Sequence, residues 1–223
     1  MSYYPILVDL KEKKVIVVGG GTVAQRKVET LLEYDAVVHL MSRELTPALQ
    51  RYVEEGMIKF LGKEFSGDVL DGAFLVIAAT DDPEVNRRVS EFAKEKGLLV
   101  NAVDQPSDCS FIVPAIVKRG DLLVAVSTSG KSPALARRIR ENLDTQFGSE
   151  YEEFLRLMGR VRKEVLSRGL SQEEKSRVFH ELVDSDILES ITRKDFNGIA
   201  SELNRIIQLR LSSDDVINYL KAE

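Results

Sequence analysis

The chain of 223 residues has a formal net charge of −5, and 43% of its residues are hydrophobic. This length and apolar content predict a globular protein of one or two domains. The absence of a long apolar run excludes a membrane span, and the acidic balance argues against general nucleic-acid binding. The single cysteine, Cys109, excludes an intrachain disulfide and a multicysteine zinc site. The N-terminus lacks a secretory signal pattern, so we expect a cytoplasmic protein.

The first half of the chain alternates β-rich runs with helical patterns, which is typical of a parallel sheet covered by helices. The predicted strands are residues 14–18, 36–41, 57–61, 73–79 and 98–103. Thr46, Asp82 and Ser132 each precede a proline, a pair that predicts an N-cap and a first helical residue. Gly56 and Gly97 follow where two helices should end. The sequence therefore predicts an α/β, Rossmann-like domain over residues 1–113.

A glycine-rich turn follows the first predicted strand. It consists of Gly19, Gly20, Gly21, Thr22, Val23 and Ala24, a G-x-G-x-x-A form of the dinucleotide fingerprint, and a helical run follows it. Gly19 permits the tight turn, Gly21 lets the backbone approach a pyrophosphate, and Ala24 lets the helix pack on the strand. A structural strand-to-helix turn is the alternative. The context on both sides favours cofactor binding at the positive end of the helix.

The ends of two other predicted strands are expected to line the same cleft. The acid that usually binds the adenosine ribose is missing, and the second strand ends at Ser42 and Arg43 instead. Ser42 is a candidate for a ribose hydroxyl and Arg43 for a 2′-phosphate, so the residues alone do not separate NAD from NADP. The fourth strand ends at Thr80, Asp81 and Asp82, of which Asp82 is better explained as a helix cap.

After residue 110 the pattern changes to a hairpin and then to helices. Residues 111–117 and 122–127 are predicted to pair across a turn at residues 118–121, and a helix should follow over residues 132–143. Residues 114–147 form a predicted small α+β domain, and its open strand edges predict a homodimer. Residues 148–223 form a predicted helical domain, with helices over residues 151–168, 196–209 and 213–220 and one opened by a capping box at Ser171 and Glu174.

A basic island lies in this otherwise acidic chain. Residues 114–140 contain six basic residues and only one acidic residue, Asp121. The basic residues are Lys118, Arg119, Lys131, Arg137, Arg138 and Arg140. This distribution indicates a local anionic ligand, and a solvated helix face is the alternative.

Several stretches of the sequence resemble those of a known family. The stretches that carry the resemblance are PILVDL from Pro5, VVGGG from Val17 with Ala24 and Lys27, AATDD from Ala78 with Asn86, NAVD from Asn101, CSFIVPA from Cys109 and VSTSGKSP from Val126. Together they are similar to the precorrin-2 dehydrogenase/sirohydrochlorin ferrochelatase family, which includes the N-terminal half of siroheme synthase. The chain resembles the stand-alone form of that family, without a methyltransferase module.

The resemblance implies a Rossmann domain, a dimerisation domain and a helical domain, joined in a homodimer with active sites between subunits. It also implies NAD as hydride acceptor, the tetrapyrrole precorrin-2 as substrate, sirohydrochlorin as product and Fe²⁺ as a substrate of a second activity. It implies that Asp104 is the catalytic aspartate and that Asn101, three residues earlier, is a candidate cofactor-binding residue. No metal-binding residue is expected, because His39 is better explained as a packed strand residue.

The implied chemistry assigns roles to two groups of residues. Oxidising precorrin-2 removes a hydride and a proton, so Asp104 at the end of the last parallel strand is the candidate base. The alternative is that Asp104 only caps the turn into Gln105. The substrate carries several carboxylates. The candidate substrate-binding residues are Lys118, Arg119, Ser127, Thr128, Ser129, Gly130, Lys131 and Arg137.

Two other functions fit the residues. The first is a non-catalytic NAD-sensing module whose hairpin and basic helix contact a partner. The second is a dehydrogenase of another polyanionic substrate. Binding of NAD without tetrapyrrole turnover would favour the first, and a substrate screen would detect the second.

Overall fold

A five-stranded parallel sheet forms the centre of the first unit of the chain. The computed structural model describes residues 3–221, and these divide into one compact unit that ends at Val113 and a second that begins at Pro114. The strands are β1 (Lys14–Val18), β2 (Val37–Met41), β3 (Lys59–Gly62), β4 (Leu75–Ala78) and β5 (Leu99–Ala102). Their order is β3-β2-β1-β4-β5, and every neighbouring pair is parallel. The predicted Rossmann-like sheet is confirmed.

Helices cover both faces of this sheet. They are α1 (Thr22–Leu32), α2 (Pro47–Glu54) and α3 (Pro83–Glu95). Buried side chains of α1 and α2, such as Val28 and Leu49, share one core with Val15 and Val17 of β1. On the opposite face, α3 packs a second core against the sheet. Strands buried on both faces explain the nearly continuous apolar runs in the sequence.

The helix boundaries follow the predicted caps. The side chains of Thr46, Asp82 and Ser132 each accept a hydrogen bond from a main-chain N–H in the first turn of their helix. Gly56 and Gly97 have positive φ angles of 72° and 68° just after α2 and α3, the conformation that glycine favours at a helix end. Asp82 is thus a helix cap, as its sequence position indicated.

The second unit begins with a two-stranded antiparallel hairpin that pairs with no other strand among the described residues. Its strands are β6 (Ala115–Arg119) and β7 (Leu122–Val126). The predicted strand over residues 111–117 and turn over residues 118–121 were wrong by several residues. Lys118 and Arg119 belong to β6, and Gly120 with Asp121 forms a tight turn in which Gly120 has a φ of 56°.

The residues just before β6 are hydrogen-bonded to β5, which explains why the hairpin begins later than predicted. The main-chain N–H of Ser110 donates to the oxygen of Val100 (2.8 Å), and the Asn101 amide donates to the oxygen of Phe111 (3.1 Å). Both contacts tie this segment to β5. Pro114 then lacks the N–H that a strand ladder needs, so the hairpin starts after it.

As far as residue 221, six helices follow in the second unit: α4 (Pro133–Gln146), α5 (Glu150–Ser167), α6 (Gln172–Val183), α7 (Ile187–Arg193), α8 (Phe196–Ile207) and α9 (Ser213–Leu220). From α5 onward they enclose a core that includes Leu157, Val161, Leu182 and Leu203. The predicted capping box between Ser171 and Glu174 is present. Between residues 3 and 221, no helix has the length and apolarity that crossing a membrane requires.

Candidate active site

The candidate site lies at the carboxyl edge of the parallel sheet, where the chain changes direction. From β1 the chain continues to β2 on one side, and after β3 it returns to β4 on the other side of β1. The loops after β1 and β4 therefore diverge and leave a crevice, which is where open α/β sheets bind ligands. The loop after β5 adjoins the same edge. Neighbouring strands are about 4.8 Å apart, so three consecutive loops meet within roughly 10 Å.

The glycine turn after β1 is packed on its inner side and open on its outer side. A Cβ atom on Gly19, whose φ is 126°, would overlap the main-chain oxygen of Ala79. A Cβ atom on Gly20 would overlap the main-chain oxygen of Glu44, and it would lie 2.6 Å from the Ser42 hydroxyl. A Cβ atom on Gly21 would meet nothing within 4 Å. The open position is the one predicted to face a pyrophosphate.

The first turn of α1 is built to accept an anion. Gly21 is the N-cap and has no side chain to occupy the free N–H groups of the helix, which begins at Thr22 and Val23. Ala24 is fully buried and lets α1 approach β1 closely. The free N–H groups and the positive end of the helix dipole fit the phosphates of a dinucleotide. The described residues therefore fit the cofactor predicted from the sequence.

Ser42 and Arg43 form the outer wall beside the glycine turn. The Ser42 hydroxyl donates to the main-chain oxygen of Glu44 (2.6 Å), which leaves its lone pairs able to accept a ribose hydroxyl. Arg43 is exposed. Ser42 lies next to Gly20, and the contact of Ser42 and Arg43 with the adenosine end of a cofactor stays a prediction.

The loop after β4 forms the facing wall, and a buried amide holds it. Asn86 of α3 is 3% exposed, and its Oδ1 accepts from the Thr80 N–H (3.1 Å) and from the Thr80 hydroxyl (2.8 Å). Its Nδ2 donates to the Thr80 oxygen (2.9 Å). The next residue, Asp81, is exposed. Thr80 and Asp81 thus lie in the loop after β4, where Asn86 holds Thr80, and their contact with a cofactor stays a prediction.

Asp104 lies just after β5, in a backbone conformation that few residues adopt. Its φ is 60°, in the left-handed region, which aspartate tolerates better than most other residues. Its side chain is exposed. Its carboxylate makes no hydrogen bond or salt bridge to any residue in the described part of the chain. It is therefore free to accept a proton from a bound substrate, and no contact supports the alternative that it caps the turn.

Cys109 closes the loop that carries Asp104. Its Sγ accepts from the Ala102 N–H (3.2 Å) and lies within hydrogen-bond distance of the main-chain oxygens of Ala102 (3.2 Å) and Gln105 (3.4 Å). The Asn101 amide also points to Cys109 Sγ (3.6 Å) and to the Phe111 oxygen. Burial raises the pKa of the Cys109 thiol, so the thiol stays protonated and can donate. Asn101 uses its amide donors on this loop.

Lys27 is a half-buried cation on α1. Burial lowers the pKa of its ammonium group, and the neighbouring charge of Arg26 lowers it further, while Cys109 has a weak opposite effect. Its ammonium group makes no ion pair with any residue from 3 to 221. The described part of the chain also contains no group of three His, Cys, Asp or Glu side chains that could hold a metal ion.

The candidate substrate-binding residues of the second unit fall into two groups. Two arginines are held by acids: Arg119 Nη2 donates to Asp144 Oδ1 (2.9 Å) and to the Asp144 main-chain oxygen (3.0 Å), and Arg137 Nε donates to Glu141 (2.9 Å). Lys118 is exposed on β6. Arg119 thereby ties the hairpin to α4, so its guanidinium already has a structural partner.

The second group is the loop between β7 and α4. Thr128 Oγ1 accepts from the Ser132 N–H (3.1 Å) and donates to the Ser132 oxygen (3.0 Å), which closes the loop. Ser127 Oγ accepts from the Ser129 N–H (3.1 Å). Ser129 and Gly130 have positive φ angles of 51° and 79°, and Lys131 is exposed. The loop is pre-shaped at the N-terminus of α4, which suits a carboxylate.

Comparisons with known proteins agree with this arrangement. Residues 6–115 match a family described as NAD(P)-binding, and residues 119–146 match the central part of sirohaem biosynthesis proteins. Siroheme synthase 1 of Serratia proteamaculans is 44% identical over 75% of this chain and 35% of its own length. Siroheme synthase of Photorhabdus laumondii is 36% identical over 97% of this chain and 45% of its own length. The chain belongs to the siroheme synthase and precorrin-2 dehydrogenase family.

A solved structure extends the family match over both units. SirC, a precorrin-2 dehydrogenase, superposes with a TM-score of 0.75 at 26% identity, covering 93% of this chain and 100% of that one. The chain spans less than half the length of the siroheme synthases it matches. The family resemblance seen in the sequence is therefore confirmed.

Sequence reasoning missed two features of the family site in this chain. Gly20 occupies the unspecified position of the fingerprint, yet the oxygen of Glu44 leaves no room for a side chain there. Asn86 was noted only as part of the resemblance, and its clamp on Thr80 is visible only in the fold. The signal for Asn86 was an amide on the buried stripe of α3, which also contains Val89, Ser90 and Ala93.

Proposed function

We propose that this protein dehydrogenates precorrin-2 to sirohydrochlorin with NAD as hydride acceptor, in the biosynthesis of sirohaem. The observation that carries the proposal is the open face of Gly21 on the same sheet edge as the free carboxylate of Asp104. The family match and the full-length similarity to the precorrin-2 dehydrogenase support the substrate. The proposed site of action is the cytoplasm.

The roles of the residues follow from their chemistry. The glycine turn and the first N–H groups of α1 would hold the pyrophosphate, and the wall at Thr80 and Asp81 would orient the cofactor. Bound NAD would accept the hydride. Asp104 would accept the proton that leaves the macrocycle, so that two electrons and two protons leave the substrate in all. The basic residues and the loop at 127–131 would bind the substrate carboxylates.

The direct test is to supply purified protein with NAD and precorrin-2 and to follow NADH and sirohydrochlorin by absorbance. We expect both to appear in equal amounts. Asp104→Asn should fold, because asparagine tolerates the same positive φ, and should bind NADH normally while losing turnover by a factor of about 100 or more. Near-normal turnover of this variant would remove Asp104 from the mechanism. NADH binding without oxidation of precorrin-2 would favour a sensor.

The same assay tests Fe²⁺ as a second substrate. With Fe²⁺ added, a sirohaem spectrum would assign iron insertion to this protein. A spectrum that remains that of sirohydrochlorin would limit the protein to the dehydrogenation. Replacing NAD by NADP in the first assay tests the cofactor, and we expect faster turnover with NAD.

We also propose a homodimer formed through residues 114–147. The hairpin leaves both strand edges unpaired among residues 3–221, and α4 exposes Leu135 (49%) and Ile139 (36%). Such edges and apolar side chains are normally covered by a partner. Sedimentation should show a dimer for the parent protein and a monomer for Ile139→Glu. The matched control is Val183→Glu at an exposed site on α6 (61%), which should stay dimeric. A monomeric parent protein would contradict the proposal.

A further inference from the structure

The most deeply buried amide side chain of the first unit is not used by the mechanism above. Asn86 lies on α3 inside the core between that helix and the sheet, and it is 3% exposed. Burying an amide costs free energy unless its donors and acceptor are paired. Its pairing is directed to one residue, Thr80, through the main-chain N–H, the main-chain oxygen and the hydroxyl.

Thr80 connects this amide to the glycine turn. A Cβ atom on Gly19 would overlap the oxygen of Ala79 and would lie 3.0 Å from the Thr80 nitrogen. The peptide between Ala79 and Thr80 is therefore packed against Gly19 on one side and bonded to Asn86 on the other. A displacement of this peptide would change the space available to the glycine turn.

We propose that Asn86 is a positioning residue for the dinucleotide: its amide clamps the backbone of Thr80 and thereby fixes the wall against which the glycine turn binds the cofactor. The inference rests on the proposed function, because it takes the glycine turn as the NAD site. Asn86 itself does not touch the cofactor and acts only through Thr80.

The clamp needs both halves of the amide. Asn86→Leu removes the donor and the acceptor and leaves the Thr80 N–H and oxygen unpaired. Asn86→Asp keeps an acceptor for the N–H, but an ionised carboxylate faces the Thr80 oxygen without a proton to donate. A protonated carboxyl group at this position again has one donor and one acceptor. The Asp variant should therefore regain the clamp at low pH.

The chain offers a matched control in its helical part. Asn204 of α8 makes the same two-way contact with Leu211: its Nδ2 donates to the Leu211 oxygen (2.9 Å), and its Oδ1 accepts from the Leu211 N–H (2.8 Å). Asn204→Leu thus loses an equivalent pair of hydrogen bonds in the second unit. It reports the general effect of losing such a clamp on folding.

The experiment is a fluorescence titration of each full-length protein with NADH, together with its melting temperature. We expect Asn86→Leu and Asn86→Asp to weaken NADH binding about tenfold or more at neutral pH, and Asn204→Leu to lower the melting temperature with NADH affinity unchanged. As the pH falls, Asn86→Asp should recover affinity relative to the parent protein measured at each pH.

Three results would overturn the inference. They are parent-like NADH affinity in the Asn86 variants, an equal loss in Asn204→Leu, or no recovery of the Asp variant in acid. If Asn86→Leu fails to fold, the pH profile of Asn86→Asp decides the matter alone. A parent protein that binds no NADH would instead refute the proposed function, so the two failures are distinguishable.

Discussion

Gly20 lies so close to Glu44 that a Cβ atom on Gly20 would overlap the main-chain oxygen of Glu44. A Cβ atom on the neighbouring Gly21 would meet nothing within 4 Å. The two glycines should therefore respond differently to the same substitution. Gly20→Ala should destabilise the first unit by about 1–3 kcal/mol, because the loop at Glu44 must move.

Gly21→Ala is the counterpart of that prediction. It should fold with nearly parent stability, since nothing lies within 4 Å of the new Cβ atom, and should weaken NADH binding by about tenfold, or 1.4 kcal/mol. Chemical denaturation and NADH titration of both variants check the pair. Equal stabilities of the two variants would show that the contact with Glu44 relaxes without cost.

Cys109 should control the loop of Asp104 without affecting the cofactor. Cys109→Ala removes the sulfur that contacts the main chain of Ala102 and Gln105, so we expect lower turnover with unchanged NADH affinity. Because burial raises the pKa of the thiol, alkylation by iodoacetamide at neutral pH should be slower than that of free cysteine and should accelerate as the pH rises. Fast alkylation at neutral pH would contradict the buried, protonated thiol.

Lys27 should make the stability of the protein depend on alkaline pH. Its pKa in the folded protein is lowered from the ordinary 10.5, so the unfolded chain binds more protons between the two values. The free energy of unfolding therefore gains a contribution as the pH rises towards 10.5, and below the folded pKa the charged group destabilises the fold.

Lys27→Met should remove this contribution. We expect the variant to melt above the parent protein at neutral pH, with the difference shrinking as the pH rises. The exposed Lys63→Met serves as the control and should show no such trend. A melting difference that is constant from pH 7 to about 10 would refute the assigned cause.

Substitutions of Arg119 and Lys131 should distinguish a structural role from a substrate-binding role. Arg119→Met breaks two hydrogen bonds to Asp144 and should lower the stability of the second unit by on the order of 1 kcal/mol. Lys131→Met, in an exposed loop, should leave stability unchanged and raise the KM for precorrin-2. Thermal melts and steady-state kinetics distinguish the two. A larger KM effect at Arg119 than at Lys131 would reverse this assignment.

Most of the fold could be predicted from local sequence patterns. Capping residues such as Asp82 and Ser171 predicted helix starts because their hydrogen bonds are made within three residues. The hairpin was misplaced because its position depends on contacts of Ser110 and Phe111 with β5, which no local pattern reveals. The seven-residue helix Ile187–Arg193 was missed because it is too short to show a helical period.

The candidate site likewise has a part that the sequence predicts and a part that it does not. The glycine turn was predictable because its function requires a fixed spacing after a strand. The Asn86 clamp was not predictable, because it depends on the packing of α3 against the loop after β4. The ion pair of Arg119 could not be predicted for the same reason, because its partner Asp144 lies 25 residues further along the chain.

The close packing behind Gly19 and Gly20 limits how this protein can be redesigned for another nucleotide. A side chain at either position would overlap main-chain atoms of a neighbouring loop, so neither position can be substituted to change nucleotide selectivity. Exposed Arg43, with Ser42 beside it, is the place where side-chain chemistry can vary without disturbing the core. A switch between NAD and NADP should thus require substitutions at these two residues and leave the glycines intact.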